Sequence, residues 1–178
     1  QHVFATSLSE YLPAEPFGPL PAGLDAPRPV LPEGVRDFMT AVRAETATPP
    51  QVEVGLDDIA ALNYTGGTTG MPKGCVHTQR DMVMTGASIC SITAEIGPDD
   101  VIINFWPIFW MAGEDMALIA PIIAGAACVL MARWDAQAWL AQTERYKATV
   151  TAMVVDNAVE IMERPDASNY DLSSLKEA

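Results

Sequence analysis

From Asp57 onwards, short apolar runs that suit β-strands alternate with longer segments whose apolar residues recur at helical spacing. Strands that alternate with helices along a chain form a mostly parallel sheet with helices on both faces. The sequence therefore predicts an α/β fold, with residues 57–178 as its main domain and a buried first strand. The predicted strands are 57–65, 100–106, 126–131 and 148–153, and the predicted helices are 78–94, 136–145 and 157–164.

Residues 116–132 carry no charged side chain, but Pro121 and Gly125 interrupt them. A membrane-spanning helix needs about 20 consecutive apolar residues. The stretch therefore predicts a buried helix, a turn and a buried strand, and no transmembrane segment is expected.

The first 56 residues differ in composition, because nine of the fourteen prolines fall within residues 1–50. Proline fixes φ and removes a backbone donor, which excludes long helices. One short helix is predicted at Val35–Glu45. The many apolar side chains of this segment favour an irregular, proline-rich connector that lies on the main body, with its boundary at residue 56.

The formal net charge of −13 is spread along the chain, and no run of basic residues is present. Nucleic-acid binding needs clustered lysine and arginine, so no nucleic-acid partner is expected. The three cysteines, Cys75, Cys90 and Cys128, show neither CxxC spacing nor a histidine at ligand spacing, which argues against zinc. An odd number of widely spaced cysteines favours reduced thiols, as in a cytoplasmic protein.

The segment 64–74, YTGGTTGMPKG, directly follows the first predicted strand of the main domain. Ligands of open parallel sheets bind at the carboxyl ends of strands. Glycines let the backbone approach a ligand closely, and successive backbone amides in such a turn form an anion-binding concavity. Threonine hydroxyl groups add hydrogen-bond donors for phosphate, and a lysine adds a positive charge. The predicted phosphate-binding residues are Thr65, Gly66, Gly67, Thr68, Thr69, Gly70 and Lys73.

Two better-known phosphate loops do not fit this segment. A Walker A loop has Gly-Lys followed by Ser or Thr, whereas Lys73 lies between Pro72 and Gly74. The GxGxxG pattern of dinucleotide-binding folds is also absent. A flexible glycine turn with a solvated lysine would explain a lone Gly-Gly pair, but the eleven-residue pattern favours a phosphate site.

The segment 64–74 resembles the signature loop of acyl-adenylate-forming enzymes, Y-T-S-G-T-T-G-x-P-K-G. That superfamily includes acyl-CoA synthetases, peptide-synthetase adenylation domains and beetle luciferases. Gly66 replaces the usual serine, a variant typical of long-chain fatty acyl-CoA ligases. Residues 106–113, WPIFWMAG, resemble the family's P-x-F-H-x-x-G segment, with Trp110 at the histidine position. The resemblance covers roughly Val52–Ala178.

The resemblance implies part of the large N-terminal domain of an acyl-CoA synthetase-like fold. It also implies that ATP and a carboxylic acid, here a fatty acid, form an acyl-adenylate, whose acyl group passes to coenzyme A. The loop would hold the β- and γ-phosphates, accompanied by Mg²⁺. Counterparts of the family's later motifs for adenine, ribose and the adenylation lysine are missing, so we expect a fragment that is inactive alone. No catalytic residue and no metal ligand is assigned.

Further residues carry weaker predictions. By resemblance, Phe109, Trp110 and Gly113 would line the acyl pocket, although an aromatic cluster also suits ordinary core packing. Thr78 and Asp81 have the spacing of a capping box at the start of the helix 78–94, and His77 is interpreted as a helix-entry residue.

Two alternative functions remain open. The chain could belong to an adenylation domain that loads an acid onto a carrier protein, which downstream carrier domains would reveal. It could also be a non-catalytic nucleotide-binding module, if the whole protein lacked the later motifs. Open strand edges favour self-association, so a homo-oligomer is expected.

Overall fold

The computed structural model describes residues 2–12, 14, 15, 20, 23–66 and 70–176. Its contacts divide the chain into two compact units, Gln1–Glu53 and Val54–Ala178. The prediction that residues 1–56 lie on the main body stays a prediction.

The smaller unit contains a two-stranded parallel sheet. Strand β1 (Val3–Ala5) pairs with β2 (Val35–Asp37), and helix α1 (Phe38–Ala44) follows β2 directly. The helix predicted from Val35 therefore begins three residues later than expected, because Val35–Asp37 pair with β1 instead. Asp37 caps α1 by accepting a hydrogen bond from the backbone N of Thr40 at 2.6 Å.

The larger unit begins with an antiparallel hairpin of β3 (Ile59–Thr65) and β4 (Lys73–Thr78). Strand β4 was not predicted. Ile59, Leu62 and Tyr64 are 63%, 55% and 69% exposed, so the prediction of a buried strand at 57–65 is wrong. The apolar pattern suits a strand, but the described residues leave much of this strand uncovered.

A three-stranded parallel sheet in the order β6–β5–β7 forms the centre of the larger unit. Its strands are β5 (Val101–Asn104), β6 (Ala127–Leu130) and β7 (Val150–Thr151). The helices of this unit are α2 (Gln79–Ser88), α3 (Met111–Glu114), α4 (Ala120–Ala124), α5 (Ala136–Tyr146) and α6 (Val155–Glu163).

Consecutive residues of β5 point to opposite faces of the sheet, since side chains alternate along a strand. Ile102, fully buried, belongs to a core cluster with Met116 and Ala120 from the segment between β5 and β6. Ile103, 1% exposed, belongs to a second cluster with Trp139 and Leu140 of α5. Helices therefore cover both faces of the sheet, which confirms the predicted α/β fold.

The uncharged stretch 116–132 folds as a helix, a turn and a strand. α3 continues through a π-helical segment, Asp115–Ile119, into α4, and Gly125 ends the helix with φ of 71°. Glycine suits this position because side chains disfavour the left-handed region. No helix in the described part of the chain is long and apolar enough to cross a membrane.

A buried carboxylate holds the end of the described chain to the start of β5. Asp100 is 7% exposed, and its Oδ2 lies 2.7 Å from Nζ of Lys176. Thr149 donates to the other carboxylate oxygen at 2.6 Å, and the backbone N of Gly97 donates to Oδ2 at 2.8 Å. These donors satisfy a charge that burial would otherwise make costly.

Candidate functional site

The glycine-rich segment joins the two strands of the hairpin. Thr65 is the last residue of β3 and pairs with Lys73, the first residue of β4. Thr65 Oγ1 donates a hydrogen bond to the carbonyl oxygen of Lys73 at 3.3 Å. Lys73 therefore begins a strand at the base of the loop instead of lying within the loop. Gly67, Thr68 and Thr69 lie outside the described residues.

The two described glycines of the predicted site have unobstructed positions. A Cβ built on Gly66 or Gly70 would meet no atom of the described residues within 4 Å, and neither residue has a positive φ. Gly74 differs, because a Cβ there would lie 3.2 Å from Cζ of Tyr64. The fold thus explains the glycine at 74 by close packing, whereas no such contact with a described residue explains the glycines at 66 and 70.

The hairpin continues directly into α2, because Thr78 ends β4 and caps the helix. Thr78 accepts a hydrogen bond from the backbone N of Asp81 at 3.3 Å, while Asp81 Oδ2 accepts one from the backbone N of Thr78 at 2.8 Å. This is the predicted capping box. The hydrogen bonds from the Thr78 backbone and side chain hold the pKa of Asp81 below its usual value. His77 immediately precedes this cap, as its helix-entry interpretation requires.

A hydrogen bond connects the hairpin to α3. Asn63 of β3 donates from Nδ2 to Oε2 of Glu114 at 2.8 Å, across 51 positions of sequence. Asp115 follows Glu114, and its Oδ1 is buried with no hydrogen-bond partner among the described residues. Burial, and then the charge of Glu114, raise the pKa of Asp115, while His77 opposes the rise. Sequence reasoning missed Asn63 and Glu114, because no local pattern relates them.

The aromatic segment before α3 is largely at the surface. Phe109 is 84% exposed and Trp110 is 54% exposed, so core packing does not account for them in the described structure. The Trp110 ring lies 6.0 Å from that of Trp106, which stacks on buried Phe105 at 5.2 Å. Phe109 and Trp110 are therefore available to contact a ligand or another part of the protein.

Gly113 lies apart from that surface. It is buried, and a Cβ there would come within 2.0 Å of the carbonyl oxygen of Pro107. Real Cβ atoms do not approach a backbone atom so closely, so only glycine fits without moving the chain. This packing is a sufficient reason for glycine at 113, and its predicted role in an acyl pocket stays a prediction.

The site thus combines a glycine-rich segment, a lysine at the base of that segment and an exposed aromatic segment just before α3. The described residues contain no group of three or more histidine, cysteine, aspartate or glutamate side chains that could hold a metal ion. Such an arrangement can bind an anion through backbone amides and Lys73, with an apolar group nearby.

Comparison with known proteins identifies the class. The chain is 32% identical over 150 residues to 4-coumarate–CoA ligase 2 of Nicotiana tabacum, covering 82% of this chain and 27% of that protein. Its fold matches the anthranilate CoA ligase AuaEII, solved with anthranoyl-AMP, at a TM-score of 0.74 and 27% identity, covering 84% of this chain and 29% of that one. It also matches the o-succinylbenzoate coenzyme A synthetase MenE of Bacillus subtilis, solved with ATP and magnesium, at a TM-score of 0.65 and 26% identity, covering 80% and 29%.

The fold is therefore that of the N-terminal domain of adenylate-forming enzymes. Residues 16–178 match the family described as AMP-binding enzyme, and the chain belongs to that family. The predicted resemblance is confirmed. The chain spans about 27% of the length of the tobacco ligase.

Proposed function

We propose that the protein containing this chain uses ATP to activate a carboxylic acid and then transfers the acyl group to coenzyme A. The observation that carries the proposal is the pairing of Thr65 with Lys73 at the two ends of the glycine-rich segment, in a chain of the AMP-binding enzyme family. In the first step, a carboxylate oxygen attacks the α-phosphorus of ATP and pyrophosphate leaves. In the second, the thiol sulfur attacks the acyl carbonyl, giving a thioester and AMP.

The loop's role in this reaction would be to bind the leaving pyrophosphate. Its backbone amides and threonine hydroxyls supply donors, and Lys73 supplies a positive charge for the β- and γ-phosphates. Phosphoryl transfer is promoted mainly by positioning and by stabilising developing negative charge. Lys73 is exposed, so it can contact a triphosphate without breaking a contact in the core.

Magnesium would arrive with ATP. The described residues do not form a three-ligand metal cluster, so they do not fit a protein-held metal. Mg²⁺ dehydrates reluctantly, so it keeps several waters and takes phosphate oxygens of the nucleotide as further ligands. We assign no step of the reaction to a metal-binding side chain of this chain.

For the acid, we propose an aromatic carboxylic acid as the first candidate. The similar proteins are ligases of 4-coumarate and anthranilate by name, and an aromatic acid could stack on the exposed ring of Trp110. A fatty acid is the second candidate, favoured by Gly66 in place of the usual loop serine. A carrier-protein thiol could replace coenzyme A as acceptor, and a non-catalytic nucleotide-binding role would require that no acid be adenylated.

ATP–pyrophosphate exchange by the full-length protein tests the proposal. The panel contains 4-coumarate, anthranilate and saturated fatty acids of several lengths, each with and without coenzyme A. We expect exchange with at least one aromatic acid and acyl-CoA formation when coenzyme A is added. Exchange with fatty acids alone would favour the second candidate, and no exchange with any acid would contradict the proposed activity.

A further inference from the structure

Asn63 and Glu114 lie between the two halves of the candidate site. Asn63 is two residues before Thr65, at the base of the phosphate loop. The backbone N of Glu114 donates to the carbonyl oxygen of Trp110 at 2.8 Å, so Glu114 moves with the aromatic segment. Asn63 Nδ2 donates to Glu114 Oε2 at 2.8 Å and also contacts Sδ of Met111 at 2.6 Å, so Asn63 joins the hairpin to the segment that we expect to face the acid.

The contact pairs an amide donor on β3 with a carboxylate acceptor on α3. Hydrogen bonds to an ionised carboxylate are stronger than bonds between neutral groups. The contact is partly buried, which reduces competition from water. The adjacent Asp115 has a buried carboxylate oxygen with no partner in the described part of the chain. Losing the Asn63 donor would leave a second one beside it.

We propose that Asn63 is a positioning residue that couples the phosphate loop to the aromatic segment through Glu114. Phosphates bound beside Lys73 would hold the hairpin in place, and the Asn63–Glu114 bond would hold α3 and Trp110 with it. Binding of ATP would then order the acid side of the site before the acid arrives. This inference rests on the proposed function, since it takes ATP as the ligand of the loop.

Hydrogen–deuterium exchange of the full-length protein, with and without ATP and Mg²⁺ and in the absence of acid, measures this coupling. Asn63→Asp places a carboxylate opposite Glu114 and breaks the bond. Adding Glu114→Gln to Asn63→Asp restores a hydrogen bond with donor and acceptor exchanged. Asn169→Asp is the matched control, because it adds the same charge to an exposed site away from the hairpin.

In the parent protein and in Asn169→Asp, we expect ATP to slow exchange both in the hairpin and in residues 107–119. The slowing in 107–119 should be at least about five-fold, the lower range of measured coupling between sites. In Asn63→Asp, slowing should persist in the hairpin and vanish in 107–119, and the double variant should recover it. If Asn63 had only a structural role, the double variant would not recover the ATP-dependent slowing of exchange in residues 107–119.

The outcomes separate this inference from the proposed function. Slowing of both regions in Asn63→Asp, equal to that in the parent, would overturn the coupling and leave the proposed function intact. ATP that slows exchange in neither region of the parent would overturn both. If Asn63→Asp does not fold, Glu114→Ala removes the carboxylate acceptor without touching the hairpin and leaves only the weak thioether acceptor of Met111. Glu114→Gln keeps an acceptor oxygen. We then expect loss of coupling in the first and retention in the second, with the reverse result contradicting the proposal.

Discussion

Lys73 pairs with Thr65 across the hairpin, and the Thr65 hydroxyl donates to the Lys73 carbonyl oxygen at 3.3 Å. This pairing fixes the two ends of the phosphate loop to each other through the backbone of the hairpin. The Lys73 side chain takes no part in the pairing. The lysine can therefore be removed without removing the contacts that shape the loop's base.

The first prediction is that Lys73→Ala weakens ATP use and leaves the fold intact. Loss of one charge-assisted phosphate contact should raise the KM for ATP, or lower kcat/KM, by about ten- to a hundred-fold. Steady-state adenylation by the full-length protein measures this. Lys147→Ala is the control, because Lys147 is exposed and pairs with Asp171 at 2.7 Å, so it removes the same charge elsewhere. If Lys73→Ala and Lys147→Ala had the same ATP kinetics, Lys73 would not be part of the ATP site.

Gly70→Val gives a second prediction. A Cβ at position 70 would meet no atom of the described residues within 4 Å and the backbone needs no positive φ, so the free energy of unfolding should change by no more than about 0.5 kcal/mol, as for neutral surface changes. ATP use should nevertheless fall at least as far as in Lys73→Ala, because the side chain would fill space that the phosphates need. Calorimetry and adenylation rates are measured together. Normal rates with an unchanged melting temperature would show that no ligand approaches Gly70.

Gly113→Ala should destabilise the protein. Its Cβ would clash with the Pro107 carbonyl at 2.0 Å, a backbone atom that cannot rotate away, and overpacking of this kind costs about 1–3 kcal/mol. Urea unfolding measures the loss, with Gly66→Ala as the control because its Cβ meets no atom within 4 Å. Unchanged stability together with an altered KM for the acid would instead support the acyl-pocket role of Gly113.

Trp110→Ala should alter the choice of acid and little else. The side chain is 54% exposed, so its loss should cost little stability, while a stacked acid would lose contacts worth about 0.5–1.5 kcal/mol. We expect kcat/KM to fall by about two- to ten-fold for aromatic acids, with the KM for ATP nearly constant. Competition assays between aromatic and fatty acids measure the change. A drop in melting temperature with unchanged preference would favour a packing role.

The Asp100–Lys176 pair should make stability depend on pH. Burial raises the pKa of Asp100, but hydrogen bonds from Lys176, Thr149 and Gly97 outweigh it, so the pKa lies below its usual value of 3.8. The contribution of the Asp100 carboxylate to the free energy of unfolding is therefore complete above about pH 4–5, where the carboxyl is also ionised in the unfolded chain. This contribution is lost as the pH falls through the folded-state pKa of Asp100.

Lys176→Met should raise the folded-state pKa of Asp100 and move acid unfolding to higher pH. At neutral pH it should cost about 1–2 kcal/mol, a value reduced by solvent screening because the Lys176 side chain is 42% exposed. Circular dichroism during acid titration and urea unfolding measures both effects. Lys73→Met, which removes the charge of an exposed lysine on β4 instead, should shift neither by a comparable amount, and an equal shift would contradict the importance of the buried carboxylate.

What the sequence could predict depends on the range of the interactions involved. The Thr78–Asp81 capping box and the helix end at Gly125 form as expected, because neighbouring residues determine them. The exposure of Leu62 could not be predicted, since it depends on which elements cover the hairpin. Asn63 and Glu114 likewise meet only after the hairpin packs on α3, and no spacing rule connects positions 51 apart.

The alternation of Ile102 and Ile103 between two cores also limits how this chain can change length. Deleting or inserting one residue within Val101–Asn104 would rotate the following side chains to the opposite faces, exchanging the partners of both clusters at once. No single compensating substitution could correct that exchange. Insertions and deletions among natural relatives should therefore be absent from this four-residue strand and collect in the connections around it.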